Sequence, residues 1–370
     1  MIRVAQISIV RPRKRVEPDR LLADWPTLAD IAAATQRAGA DVTVVQSFHR
    51  DAEIVRHGVR YRFIAEPALP GRATGLMPWR LARAVRAAAP DVLHVNGLDF
   101  PRHMRALRRL GVPILVQDHA SRAGTGGSKR RRALEHIAGI AFTAAAQARP
   151  FVDAGELSPR VPVFAVPESS TRFSPGSQAT ARARTGIEGD PAVLWVGRLD
   201  DNKDPLTILD AIDIAARDLP RLKLWCCFHE QPLLAEVEAR IAASPALAGR
   251  VHLLGRVPHA RIETLLNASD FFLLGSHREG SGYALIEALA CGVTPIVSDI
   301  ASFRAIAGPV GALVPVGDAA GFTRALVTLA RQDRMALRRR AIKHFEAHLS
   351  FDQVGAQLCA IYAELIEGGQ

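Results

Sequence analysis

The sequence lacks any apolar run approaching the ~18 residues of a membrane-spanning helix, although 48% of its 370 residues are hydrophobic. The opening MIRVAQISIV reads straight into a strand, without a basic n-region, a long apolar segment and a small-residue cleavage site. A cytoplasmic location is therefore expected. The four cysteines, at 226, 227, 291 and 359, contain no CxxC pair, and the neighbours Cys226 and Cys227 are not expected to pair with each other. All four read as reduced packing residues, and no zinc or other metal site is expected. A GxGxxG fingerprint is missing from VAQISIVRPRKRV, where a dinucleotide-dependent dehydrogenase would carry it after its first strand. Lysine is scarce, with five of 47 basic residues. Richness in arginine and alanine fits a GC-rich coding bias, which accounts for part of the net charge of +10 without a function. Two basic clusters stand out, RPRKR (Arg11–Arg15) and SKRRR (Ser128–Arg132). They read either as solvated loop charge or as attraction to an anionic acceptor or the inner face of a membrane. Neither has interleaved aromatics for base stacking, so nucleic acid is not expected.

What is present is alternation. The length favours two domains. Strand candidates IRVAQISIV, DVTVVQ, VRYRFIA, DVLHVN, VPILVQ and GIAFTA are interspersed with helical patterns such as MPWRLARAVRAAA (77–89) and DFPRHMRALRRLG (99–111). This predicts βαβ units and a parallel sheet covered on both faces. The stretch SPRVPVFAVPESSTRFSPGSQ (158–178), rich in Pro and Ser, reads as a linker. The alternation then restarts with AVLWVG, LKLWCCF, RVHLLG, DFFLLGS and TPIVSD. The fold class predicted is α/β, with two doubly wound parallel-sheet domains facing a cleft outside the carboxyl ends of their strands. The first domain is placed at 1–167, with a C-terminal helix at about 351–370 packing back on it, and the second at 168–350.

The stretch SHREGSGYALIEALACG (276–292) carries the strongest chemistry. A buried strand, DFFLLGS, runs into a loop and then a helix, YALIEALAC, closed by Gly292 at C′. Helix-start amides and the positive end of the helix dipole gather in the loop, where Gly280 and Gly282 permit close approach, so phosphate is a natural ligand. Glu279 precedes this anion site. Glu287 lies four residues into the helix, a rise of ~6 Å. A nucleotide-sugar, with hydroxyls at both ends and diphosphate in the middle, has the matching layout. The alternative for Glu287 is a buried salt bridge or a cap to a neighbouring loop. Upstream, strand AVLWV ends at Gly197, and Arg198 and Lys203 precede a helix starting near Pro205. They read as two cations for a diphosphate or as a pair of surface charges.

These residues resemble the retaining family-4 glycosyltransferases of GT-B fold. REGSGYALIEALACG looks like their E-x7-E signature, and WVGRLDDNKDPLTIL like their diphosphate loop. DVLHVNG and ILVQDHAS look like strands of their first domain, and LSFDQVGAQLCAIYAEL like their closing helix. The resemblance covers most of the chain and is concentrated over 192–300. It implies that Glu279 touches the donor sugar near its reacting carbon. Backbone at Gly280, Ser281, Gly282 and Tyr283 would hold sugar and phosphate, and Glu287 the ribose. Arg198 and Lys203 would bind diphosphate, while Gly255, Arg256 and Val257 line the base. His119 matches an acceptor-side histidine, its alternative being a core or loop histidine. No cofactor or metal is implied, and UDP-sugar is the expected donor. Three places depart from the family pattern: VRPRKRVEPDRLLADWP (10–26) replaces a Gly-rich loop, HEQPLL (229–234) a Gly-x-Gly, and PESSTRF (167–173) a Pro-Asn-Gly-Val-Asp.

The expected activity is glycosyl transfer to an acceptor hydroxyl with retention, in bacterial envelope polysaccharide, glycolipid or glycoconjugate synthesis. Glu279, His119, Arg198 and Lys203 are the expected catalytic residues. The alternatives are a sugar-nucleotide epimerase or hydrolase on the same fold, and a non-catalytic nucleotide-sugar-binding protein.

Overall fold

A computed structural model describes residues 1–67 and 78–368. Met77, where one expected helix begins, and the last two residues of the expected closing helix lie outside them. The chain forms two compact units, Met1–Ser170 with Phe351–Gln370, and Thr171–Ser350.

The first unit holds strands β1 (Arg3–Ser8), β2 (Asp41–Phe48), β3 (Ala52–Arg56), β4 (Val59–Ala65), β5 (Val92–Asn96), β6 (Ile114–Gln117), β7 (Gly139–Phe142) and β8 (Val163–Ala165). Their order in the sheet is β3-β4-β2-β1-β5-β6-β7-β8. All neighbours pair in parallel except β3 and β4. The expectation of a purely parallel sheet is corrected at this edge. His57 and Gly58, both at positive φ, turn β3 directly into β4, and a two-residue connection can join only antiparallel strands. A second correction concerns the expected linker. Val163–Ala165 lies inside it yet pairs with β7 as a strand. Three residues between prolines are too few to show periodicity.

The helix Phe351–Glu367 belongs to this unit. It packs on the helix Pro26–Arg37 and sends Tyr362 into the core. Tyr362 Oη lies 2.6 Å from His94 Nδ1, and His94 Nε2 lies 2.9 Å from Gln117 Oε1;. An amide oxygen only accepts, so Nε2 carries the proton and Nδ1 accepts from the tyrosine. Burial pushes the His94 pKa down to about 4, which keeps the ring neutral near pH 7.

The cluster SKRRR is a third correction. It lies in a helix, Gly127–Ala133, and not in a loop. Its Arg130 is buried, donating to Asp99 Oδ1 and Oδ2 at 3.0 Å each and to Glu156 Oε2 at 2.7 Å. Lys129, Arg131 and Arg132 are exposed, as are Arg13, Lys14 and Arg15 of the other cluster.

The second unit holds β9 (Ala192–Gly197), β10 (Lys223–Phe228), β11 (Val251–Gly255), β12 (Phe271–Leu274), β13 (Thr294–Ser298) and β14 (Ala312–Val314), in the order β11-β10-β9-β12-β13-β14, all parallel. Their apolar runs follow from burial on both faces: every residue of β12 and β13 is buried. Cys226, Cys227 and Cys291 are buried thiols and Cys359 is half-buried. Among the described residues no helix is long and apolar enough to cross a membrane.

Candidate functional site

In the second sheet the strand order reverses between β9 and β12. At such a point the connections leave to opposite sides, which opens a crevice at the carboxyl ends of the two strands. Both sequence motifs emerge there, because Gly197 ends β9 and the 276–282 loop follows β12. The two loops are tied together. His277 N donates to Asn202 O at 2.8 Å, Asn202 Nδ2 to Arg278 O at 3.0 Å, and His277 Nε2 lies 3.2 Å from Asp204 Oδ2.

Lys203 and Glu279, 76 residues apart, form an ion pair across this junction, and Ser276 Oγ donates to the same Glu279 oxygen at 2.7 Å. Both charged side chains are about 15% exposed. Lys203 is held in place by its own loop: its N–H donates to Asp200 O and Oδ1, each at 3.0 Å. Asp204 caps the next helix, Pro205–Ala215, through Thr207 N at 3.2 Å. The acids of DDNKDP thus scaffold the lysine, a role the sequence reading missed. Asx-type self-bonding was the available signal. Arg198 stands apart from the Lys203–Glu279 pair, between Asp200 at 2.9 Å and Glu230 at 3.7 Å. Glu230 belongs to the HEQPLL departure, so that segment supplies Arg198 with a partner.

The helix Tyr283–Ala290 follows from its ends. Gly282, its N-cap, has φ 61°, and a Cβ there would collide with Ile306. At the far end Gly292 N donates to Leu289 O at 2.9 Å and Val293 N to Ala288 O at 2.8 Å, the paired bonds of a Schellman closure around the expected Gly292. Gly280, Ser281, Gly282 and Tyr283 line the start of this helix beside Glu279. Glu287, one turn in, is buried, and its Oε1 lies 2.6 Å from His259 Nε2. His259 begins the helix after β11 and stacks on Phe173, with ring centroids 5.0 Å apart. Of the alternatives stated for Glu287, the structure shows the salt bridge, made to the first residue of this helix. Arg256 and Val257 lie just upstream: Arg256 is exposed, and Val257 packs on the core.

The bond to Glu287 raises the His259 pKa above its ordinary value. A histidine whose folded pKa is raised adds stability that is complete below its unfolded pKa of ~6.5 and lost as pH rises through the folded value. A His259→Asn variant is expected to melt below the wild type at pH 5.5 and to converge with it by pH 8.5. Because the imidazole is largely exposed, solvent screening keeps the gap small. A gap that widened with pH would contradict the pair.

The first sheet reverses its order between β1 and β5. A cavity of about 230 Å³ lies there, lined among others by Ser8, Trp25, His94, Asn96, Phe100 and Glu168. His119, after β6, reaches into the same cavity. Its Nδ1 contacts Glu168 Oε2, and its Nε2 lies 2.9 Å from Asn96 Oδ1. Asn96 Nδ2 donates to Ile7 O at 3.4 Å, which turns the amide oxygen toward the histidine. Ala120, next to His119, takes φ 57°. The described site residues therefore form two groups, Lys203, Glu279, Arg198 and Glu287 in the second unit and His119 in the first.

A family model described as Glycosyl transferases group 1 matches residues 190–332, and one described as Glycosyl transferase 4-like domain matches residues 25–168. The D-inositol 3-phosphate glycosyltransferase of Geodermatophilus obscurus is 29% identical over 239 residues, covering 60% of this chain and 53% of that protein. The phosphatidyl-myo-inositol mannosyltransferase of Mycolicibacterium smegmatis is 28% identical over 295 residues, covering 75% of this chain and 72% of that protein. The matches to the first three curated relatives span between 53% and 60% of those proteins' lengths. Anabaena Alr3699/HepE, solved in complex with UDP, superposes with a TM-score of 0.70 at 15% identity, covering 98% of this chain and 100% of that one. At that identity the likeness concerns the fold.

Proposed function

We propose, because this chain belongs to the family-4 glycosyltransferases of GT-B fold, that it transfers a sugar from a nucleoside diphosphate sugar to an acceptor hydroxyl with retention. The observation that carries the reading is the Lys203–Glu279 pair at the switch point of the second sheet, beside a helix N-terminus. A nucleotide-sugar would replace that pair with two better-matched contacts. Its diphosphate would take Lys203, Arg198 and the amides of Gly280–Tyr283, and its sugar hydroxyls would take Glu279. Glu287 would hold the ribose, and backbone from Gly255 to Val257 would line the base.

In the reaction the bond from the anomeric carbon to the diphosphate breaks, and the departing phosphate takes the electron pair. The acceptor oxygen bonds to the same carbon from the same face, and its proton passes to the phosphate. Arg198, Lys203 and the amides act on the charge that grows on the leaving group, the largest lever available to such a site. Glu279 and His119 position and polarise. UDP is the expected nucleotide, no metal is assigned a role, and envelope glycan or glycolipid synthesis is the expected setting. The exposed cations at Arg13–Arg15 and at Lys129, Arg131 and Arg132 are the surface that would meet an anionic membrane.

The test is a thermal-shift panel of UDP, GDP, ADP and dTDP on the wild type and on Glu279→Gln. The amide releases Lys203 from its carboxylate partner. The variant is therefore expected to bind the preferred diphosphate several-fold more tightly while losing about a hundredfold in kcat/KM for the sugar donor. No stabilisation by any diphosphate would refute donor binding. Turnover of the donor without an acceptor would point to hydrolysis or epimerisation.

A further inference from the structure

We propose that His259 is a positioning residue for the nucleotide: it sets the Glu287 carboxylate to receive both hydroxyls of a ribose, and so selects ribonucleotides over their 2′-deoxy forms. This role rests on the reading of Glu287 as the ribose ligand.

Among the described residues the Glu287 carboxylate has one hydrogen-bond partner, His259 Nε2, 2.6 Å from Oε1. An ionised carboxylate only accepts, so Nε2 carries the proton. The Glu287 side chain is 9% exposed. At that burial a carboxylate without a partner turns towards water or takes up a proton. His259 prevents both by fixing one oxygen. It does not close the site. A carboxylate offers about four lone-pair positions over its two oxygens, and His259 uses one. The two hydroxyls of a ribose need two more. The pair thus differs from Lys203–Glu279, whose contact the ligand would replace.

A 72% exposed imidazole can do this only if it is itself held. Its ring stacks on Phe173, with centroids 5.0 Å apart and an interplanar angle of 29°. Phe173 is fixed in turn through its neighbours. Ser174 N and Oγ donate to Glu263 Oε1 at 2.9 and 3.2 Å. Gly176 N donates to Asn267 Oδ1 at 2.6 Å, and Asn267 Nδ2 donates to Ser174 O at 3.0 Å. Glu263 and Asn267 lie about one and two turns along the helix that His259 begins. The histidine and the supports of its stacking partner therefore belong to one helix, which suits a group that must hold another in place. Pro258, with φ −56°, joins His259 to Val257. The backbone that would line the base and the side chain that sets the ribose carboxylate thus share the segment 255–259.

The experiment is calorimetric binding of UDP, GDP and ADP, each against its 2′-deoxy form, to the full chain. The readout is the ratio of the two affinities for the base that binds. Wild type is expected to prefer the ribonucleotide by about tenfold or more, the order expected of a hydrogen bond to a charged group. Glu287→Ala should bring the ratio to about one. His259→Asn, whose amide ends short of the Nε2 position, should cut it by about threefold or more. His259→Gln, whose amide nitrogen reaches that position, should restore it to within about twofold of wild type. The diphosphate is common to both nucleotides, so a merely structural defect would weaken both and leave the ratio unmoved. That result for His259→Asn, with the ratio collapsed in Glu287→Ala, would overturn the role of His259 and leave Glu287 on the ribose. A ratio moved by neither variant, or no preference in the wild type, would overturn the ribose assignment and the role together. No binding of any diphosphate would overturn glycosyl transfer with them.

Discussion

Replacing Arg198 and Lys203 together by alanine is expected to lower kcat/KM for the nucleotide-sugar by about a thousand- to ten-thousandfold, while the melting temperature falls only a few degrees. Removing one preorganised donor to a growing negative charge costs ~10²–10³ in rate, and two donors acting on the same diphosphate do not add fully. The fold should tolerate the change for local reasons. Arg198 is 43% exposed, and its contacts with Asp200 and Glu230 are surface pairs worth ~0–1 kcal/mol. The loop that carries Lys203 is held by main-chain bonds to Asp200 and by Asp204 capping Thr207, none of which uses the lysine side chain. Glu279 keeps its bond from Ser276. Steady-state kinetics and calorimetric melting, run on the same preparation, check this. A variant that melts 15 °C lower in parallel with its activity would make the Lys203–Glu279 pair structural.

The largest stability effect is expected from Arg130→Ala, a loss of about 3–5 kcal/mol, read from urea denaturation. The Arg130 side chain is 3% exposed and that of Glu156 1%, and removing one partner of a buried pair strands the other charge. Glu156 is also the anchor of the preceding loop, accepting from Gly126 N at 2.8 Å, Gly127 N at 2.6 Å and Gly124 N at 3.2 Å. Those amides keep the carboxylate partly satisfied, so the lower end of the range is favoured. Arg130 also lies 5.2 Å from the Phe151 ring centroid, and that contact would be lost too. In the double variant Arg130→Met/Glu156→Gln no charge is stranded, and much of the loss should be recovered. A loss under 1 kcal/mol in the single variant would show that the cluster is solvated in solution.

The contrast between these two sites shows where sequence reasoning worked. The Arg/Lys loop and the two glutamates were legible because strand, loop and helix start are local features written in residue order. Apolar runs, a Gly-x-Gly, a proline at the helix start and a closing glycine each act within a few residues. Arg130 was not legible. Within SKRRR it looks like its neighbours. Only the fold sets it against Asp99, 31 residues before it, and Glu156, 26 residues after it. β8 and β14 were missed because three residues carry no periodicity, and β3 because its largely exposed edge lacks a buried pattern.

By itself, then, the sequence determined the two α/β units, the strands that end at Gly197 and near Ser276, and the helix that carries Glu287 between Gly282 and Gly292. It also placed the cations and carboxylates that such ends present. The tertiary structure decided their partners: Lys203 with Glu279, Glu287 with His259, and His119 with Glu168 and Asn96. The reason is strand order. Placing β12 beside β9, and β5 beside β1, joins loops far apart in the chain, and no local pattern records which strands will be neighbours.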